Sequence, residues 1–184
     1  MKPDVDSWLP NPGLRVEHRR ESTVEPARLW EAARQIRLCD AGRLGRLIRW
    51  RIPGTGTDVS FDELFQNPPF MVLDRDGEQA LVSGLVGRIW TLRRDYPELS
   101  GPDEFKTWGA RGTARVTFAN WVEPVSDDRS ALVSEVRVDA IGSQGRLGLA
   151  AVRPLVSAFH SLIGSDGIAA AVTLAERDGR IAHR

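Results

Sequence analysis

The order of patterns along the chain predicts an α+β domain, a curved antiparallel sheet with one long helix across its concave side. Three observations point there. A run of about five or six period-two segments follows one another through turn signals rather than helices, so the strands must pair antiparallel. Two short helical patterns follow the first of these strands, and the chain closes on a long, mostly apolar helical stretch. A sheet and helix arranged in this way leave a cavity between them, and such cavities hold apolar ligands.

Residues 1–13 carry Pro3, Pro10, Pro12 and Gly13 around Trp8 and read as an extended lead-in whose tryptophan can pack on the domain. Over 14–23, Leu14, Val16 and His18 alternate with Arg15, Glu17 and Arg19, the pattern of a half-buried strand. Val24-Glu25-Pro26 starts a helix, with Thr23 placed to cap it and Pro26 tolerated in the first turn; Ala27, Trp30, Ala33 and Arg34 continue it. Leu44, Leu47 and Ile48 give a second short helix over 42–51, stopped by Pro53-Gly54. A polar connection over 54–69 holds the apolar knot Phe61, Leu64 and Phe65. The period then becomes two. Strands over 70–74 and 78–86 are joined by Asp76-Gly77, and 87–92 reads as a further strand after a glycine suited to a bulge. A second loop, 93–112, is anchored by Phe105 and Trp108, and strands over 113–123 and 129–139 form the last hairpin. The terminal helix spans 144–163 with Pro154 as a kink, and Gly164-Ser165-Asp166-Gly167 either breaks it or caps a renewed helix through Glu176. A single domain over 14–176 and a tail over 177–184 result.

Composition narrows the function classes. The 184 residues are 41% hydrophobic and 27% charged, within the globular range. Basic and acidic residues balance at 25 each, so the chain lacks the overall positive field most nucleic-acid binders use, and no nucleic-acid partner is expected. Of the 25 basic residues 23 are arginine, the lysines being Lys2 and Lys106, which suits the coding bias of a GC-rich genome. One cysteine, Cys39, excludes an intrachain disulfide framework and fits a reducing compartment. The opening Met1-Lys2-Pro3-Asp4 has no signal-peptide core. The most apolar stretch, 147–163, is broken by Arg153, Pro154 and His160 and falls short of the roughly 20 residues that span a bilayer. A cytoplasmic protein without a transmembrane segment is the expectation. Nothing in the sequence assigns an oligomeric state.

Familiar catalytic machinery is missing. There is no G-x-S-x-G, and Gly54-Thr55-Gly56-Thr57-Asp58 lacks the Lys-Ser/Thr ending of a phosphate loop. His18, His160 and His183 are scattered without metal-ligand spacing, so neither a metal nor a cofactor is expected. Arg34, Arg37 and Arg43 could activate Cys39 as a nucleophile, although a small buried thiol is the commoner case. Residues 34–51 hold six arginines against Asp40; Arg43, Arg46 and Arg49 share a helical face that suits either solvent or an anionic surface. In the last hairpin, Ala114, Val116, Phe118 and Val122 share one side, as do Leu132, Ser134, Val136 and Val138 of the next strand. These should face the cavity, with Arg115, Glu135 and Arg137 facing solvent and Arg115 pairing across to Glu135. A bulge would instead turn Glu135 and Arg137 inward. His18, Asn120 and Ser134 are further polar handles on the inward side.

Several local patterns, in order, resemble the START-like helix-grip superfamily, also called SRPBCC, which includes polyketide cyclases and birch-pollen-allergen-like proteins. Val24-Glu25-Pro26-Ala27-Arg28-Leu29-Trp30 looks like its opening strand running into a tryptophan-bearing helix. Ser83-Gly84-Leu85-Val86-Gly87-Arg88-Ile89-Trp90 and Ser134-Glu135-Val136-Arg137-Val138 resemble elements of a bacterial, uncharacterised subgroup. Phe159-His160, with Leu162-Ile163 and Ser165, looks like its helix centre, His160 departing from the usual aromatic pair. The resemblance covers about residues 14–176 and implies a curved sheet of about seven strands, within the usual size of sheets, around the terminal helix. It implies a hydrophobic cavity between sheet and helix, and the leading expectation is a protein that binds or transports a small hydrophobic molecule, such as a lipid or polyketide. Trp90, Phe118, Val136, Leu155 and Phe159 would line the cavity, and Glu135, Arg137 or His18 would orient the ligand. The alternative is a cyclase or dehydratase in which His18 or Glu135 moves a proton. Superfamily membership alone does not decide between carrier and enzyme.

Overall fold

The computed structural model describes residues 2–52, 54–75, 79–91, 93, 95–126 and 128–182; the side chains of residues 51, 155–160, 164–165 and 179–182 lie outside that description. Among these residues the elements run β1 (Leu14–Ser22), α1 (Pro26–Gln35), α2 (Gly42–Arg51), α3 (Phe61–Gln66), β2 (Met71–Asp74), β3 (Ala80–Gly87), α4 (Pro102–Thr107), β4 (Ala114–Ser126), β5 (Arg129–Ala140), α5 (Gly142–Leu162) and α6 (Ala169–Ala182). A 3-10 turn at Val5–Ser7 precedes them, and a π-helical stretch, Ile163–Ile168, joins α5 to α6.

The strands form one antiparallel sheet in the order β1-β5-β4-β3-β2. It has five described strands, fewer than the resemblance implies. The expected strand over 87–92 leaves the sheet at Gly87, whose φ of 142° suits glycine and whose added Cβ would lie 2.2 Å from the Asp95 carbonyl oxygen. A turn follows, with the Arg88 amide donating to the Asp95 carbonyl and the Thr91 amide to the Arg88 carbonyl, both at 3.2 Å. The Asp76-Gly77 connection lies outside the described residues.

Two expected loops carry helices. Ser60 caps α3 through a capping box, its hydroxyl accepting from the Glu63 amide while the Glu63 carboxylate accepts from the Ser60 amide. In α4, Pro102 sits in the first turn with Asp103 and Glu104. Ala41 gives α2 no capping side chain; instead the Asp166 carboxylate, from the π-helical stretch, accepts from the amides of Arg43 and Leu44 at 2.9 and 3.3 Å. Residues 164–167 therefore neither end the helix nor restart it but carry it on through a π turn. Pro154 lies within α5 as expected, and no helix of the described residues is long and apolar enough to cross a membrane.

Both faces of the sheet are covered. On one face α1, α2, α3 and the α5–α6 region pack over Leu81, Leu85, Val116, Val122, Leu132, Val136 and Val138. On the other, Val5 and Trp8 of the N-terminal segment and Phe105 and Trp108 around α4 cover Val82, Val86, Ala119, Trp121 and Val133. Every residue of β3 is consequently buried.

Candidate ligand cavity

The cavity lies between the sheet and the helices and measures about 240 Å³. Register decides which strand residues reach it. Paired residues of adjacent strands project to the same face, and the pairs Val116↔Val138, Phe118↔Val136 and Asn120↔Ser134 all line the wall. The helices close it with Trp30 of α1, Leu47, Ile48 and Trp50 of α2, and Phe61 and Phe65 of α3. Aromatic rings form its firmest part. Phe65 packs against Phe70 at 5.1 Å and Phe118 at 5.3 Å, and Phe70 meets Phe118 edge-on at 5.4 Å.

Besides the amphipathic rings of Trp30, Trp50 and Tyr96, the lining holds the polar residues Arg34, Asp62, Asn120 and Ser134. Arg34 and Asp62 form an ion pair at 3.2 Å and neutralise each other, and Trp50 is half exposed. Among the described residues no histidine, cysteine or glutamate lines the cavity. Among the described residues no three His, Cys, Asp or Glu side chains gather as a metal site.

Of the residues singled out from the sequence, Phe118 and Val136 line the wall as a directly paired couple. His18 is paired with Ser134 on the same face of the sheet but is not part of the lining. Trp90 is not part of it either; its ring lies against α5, so close to Gly148 that a Cβ there would come within 2.5 Å. The side chains of Leu155 and Phe159 lie outside the described residues.

Glu135 and Arg137 lie on the opposite face, as the alternation requires, yet that face is not solvent. The Glu135 side chain is 0% exposed and that of Arg137 3%. The N-terminal segment covers them: Arg137 forms an ion pair with Glu135, a second with Asp6, and donates to the Leu9 carbonyl at 2.8 Å. Arg15 closes the network on Glu135 at 3.0 Å. Burial is the strongest single influence on the Arg137 pKa and pulls it down, but the hydrogen bonds and the charge attraction of Glu135 and Asp6 together leave it raised. The hydrogen bond and attraction of Arg137 hold the Asp6 carboxyl below its ordinary value. The cross-strand pair expected between Arg115 and Glu135 does not form, because Arg115 sits opposite Asp139 and pairs with it at 2.8 Å.

Cys39 is exposed rather than buried, its thiol 3.8 Å from the Asp40 carboxylate. Arg43 and Arg46 are exposed and Arg49 half-buried on α2. Sequence reasoning did not assign Trp30, Ile48, Phe65 and Phe70 to the cavity. For Ile48 and Phe65 a signal was present, since Leu44, Leu47 and Ile48, and Phe61, Leu64 and Phe65, each repeat at i, i+3, i+4.

No known family model matches the chain, and no curated protein matches it by sequence. Solved structures with a partly similar chain course include a hypothetical protein of Helicobacter pylori, 12% identical, with 93% of this chain and 92% of that one covered and a TM-score of 0.40. Another is the Zhui aromatase/cyclase of Streptomyces sp. R1128, 16% identical over 92% and 97% of the two chains, TM-score 0.37. A third comes from Thermus thermophilus, 10% identical over 89% and 96%, TM-score 0.33. Likeness at this level fixes neither family nor function.

Proposed function

We propose that the chain binds a small apolar molecule between the sheet and the helices. The observation that carries this reading is the cavity of about 240 Å³, walled mainly by aliphatic and aromatic side chains from β3, β4, β5, α1, α2 and α3. Well-packed interiors leave few voids larger than a water molecule, and an apolar void is filled readily by an apolar ligand. The volume lies just under the ~300–1,000 Å³ usual for small-molecule pockets, which favours a compact ligand. An acid-base reading gains no support, because Glu135 lies behind the sheet and His18 outside the wall.

The test is a titration with N-phenyl-1-naphthylamine, read by its own fluorescence and by quenching of tryptophan, since Trp30 and Trp50 are in the wall. Saturable binding is expected, together with an at least tenfold loss in Val136→Trp, whose indole would occupy the cavity, with an unchanged far-ultraviolet circular dichroism spectrum. No saturable binding to the wild-type chain, combined with no apolar molecule in its solvent extract by mass spectrometry, would overturn the proposal.

A further inference from the structure

We infer that the ligand carries a neutral hydrogen-bonding group, a carbonyl or a hydroxyl, that docks on Asn120 and Ser134. This rests on the proposed cavity function and narrows its ligand class. Asn120 of β4 and Ser134 of β5 face each other in register, which sets their Cβ atoms about 4.5–5.5 Å apart, and both line the cavity. Around them most of the same face is apolar: Phe118 and Val136 form the neighbouring pair on one side, Val122 and Leu132 on the other, and Leu81 of β3 flanks Asn120, while His18 of β1 sits opposite Ser134. Ser134 is only 6% exposed, yet neither its hydroxyl nor the Asn120 carboxamide hydrogen-bonds to another described residue.

Polar side chains that line an apolar wall lose free energy if a ligand strips their water without replacing its hydrogen bonds. A ligand that enters the cavity must therefore offer these two groups a hydrogen-bonding atom of its own. The carboxamide offers both donor and acceptor and the hydroxyl can act as either, so together they hold one oxygen atom from two directions. Both are neutral, and the charged residues of the lining, Arg34 and Asp62, are paired with each other. A carboxylate or an ammonium group would thus meet no uncompensated opposite charge, whereas a ketone or an alcohol would lose no solvation it could not recover. The molecule expected is an apolar body with one neutral oxygen function.

Displacement of N-phenyl-1-naphthylamine by 2-decanone and by decane measures this directly. The ratio of the two affinities in the wild-type chain is expected to fall tenfold or more in Asn120→Leu, with decane binding retained; tenfold is of the order of one neutral hydrogen bond. Ser134→Ala, the smaller change, provides the same comparison should Asn120→Leu fail to fold. In the infrared, the carbonyl stretch of bound 2-decanone is expected at lower frequency in the wild type than in either variant. An unchanged affinity ratio and an unchanged stretch would overturn the inference while leaving the cavity function standing. Failure of the probe and both displacers to bind the wild type would overturn both.

Discussion

Arg137→Met should be among the most damaging single substitutions in the chain, although it lies outside the cavity. The Arg137 guanidinium serves three groups at once: the Glu135 carboxylate, the Asp6 carboxylate and the Leu9 carbonyl. Its loss leaves Glu135, at 0% exposure, with Arg15 alone, and the Arg15 side chain is 48% exposed. Removing one partner of a buried ion pair costs about 3–5 kcal/mol, and the remaining bond to Arg15 places the expectation near 3. Against a typical domain stability of about 5–15 kcal/mol, that is a large fraction. In urea unfolding followed by circular dichroism, with a slope of about 2 kcal/mol per molar, the midpoint should fall by about 1.5 M. Arg15→Met, which leaves the Glu135–Arg137 pair intact, should cost about 1 kcal/mol or less. Replacing both partners, Glu135→Leu with Arg137→Met, should restore much of the loss, since no lone buried charge remains. The reasoning is refuted if Arg137→Met stays within about 1 kcal/mol of wild type, or if Arg15→Met matches it.

Two further outcomes are expected. Gly45→Ala should destabilise by about 2 kcal/mol or more in the same urea assay, because an added Cβ would lie 1.8 Å from the Leu38 carbonyl oxygen; helix propensity alone would give a gain of about 1 kcal/mol, so the sign decides. Acid should loosen the fold. The folded chain holds Asp6 below its ordinary 3.8, and Glu63 and Glu104 below 4.5, through Arg137, the Ser60 amide and hydroxyl, and the Ser100 amide and hydroxyl respectively. The unfolded chain therefore takes up protons first, and the stability these groups add is present above those ordinary values and lost as pH falls below them. Unfolding measured from pH 5 downward should show this, with a shallower slope in Asp6→Asn, and an equal slope would argue against the contact.

The elements that could be read from the sequence are those with a sustained period. β1, α1, α2 and the β4–β5 hairpin appear within a few residues of their expected positions, and the alternation in β4 and β5 places Phe118, Asn120, Ser134 and Val136 on the cavity side. What could not be read is what covers the other side. Alternation sorts Glu135 and Arg137 from Val136 but is silent on whether chain from residues 5–9 returns to bury them. One sign was available: Trp121-Val122 and Leu132-Val133 place large apolar residues on both faces, which a half-solvated sheet does not do. The helices α3 and α4 are six residues each, too short to establish a period, and only the Ser60 capping box of α3 and the Pro102-Asp103-Glu104 opening of α4 betray them. Trp90 lies beyond the end of β3 at Gly87, with its ring against Gly148 of α5.

The order β1-β5-β4-β3-β2 leaves the sheet open at β1 and β2 rather than closed on itself. Each border presents backbone amides and carbonyls to which a stray strand could add. The two borders resist this differently. β1 carries Arg15, Glu17, Arg19, Arg20 and Glu21, so an incoming segment must accommodate charges of both signs along nearly its whole length. β2 is only four residues long and loses register between Val72 and Asp74, too brief and too irregular to template an extension. The salt-bearing strand that looked merely half-buried in the sequence thus also guards the protein against polymerising through its own sheet.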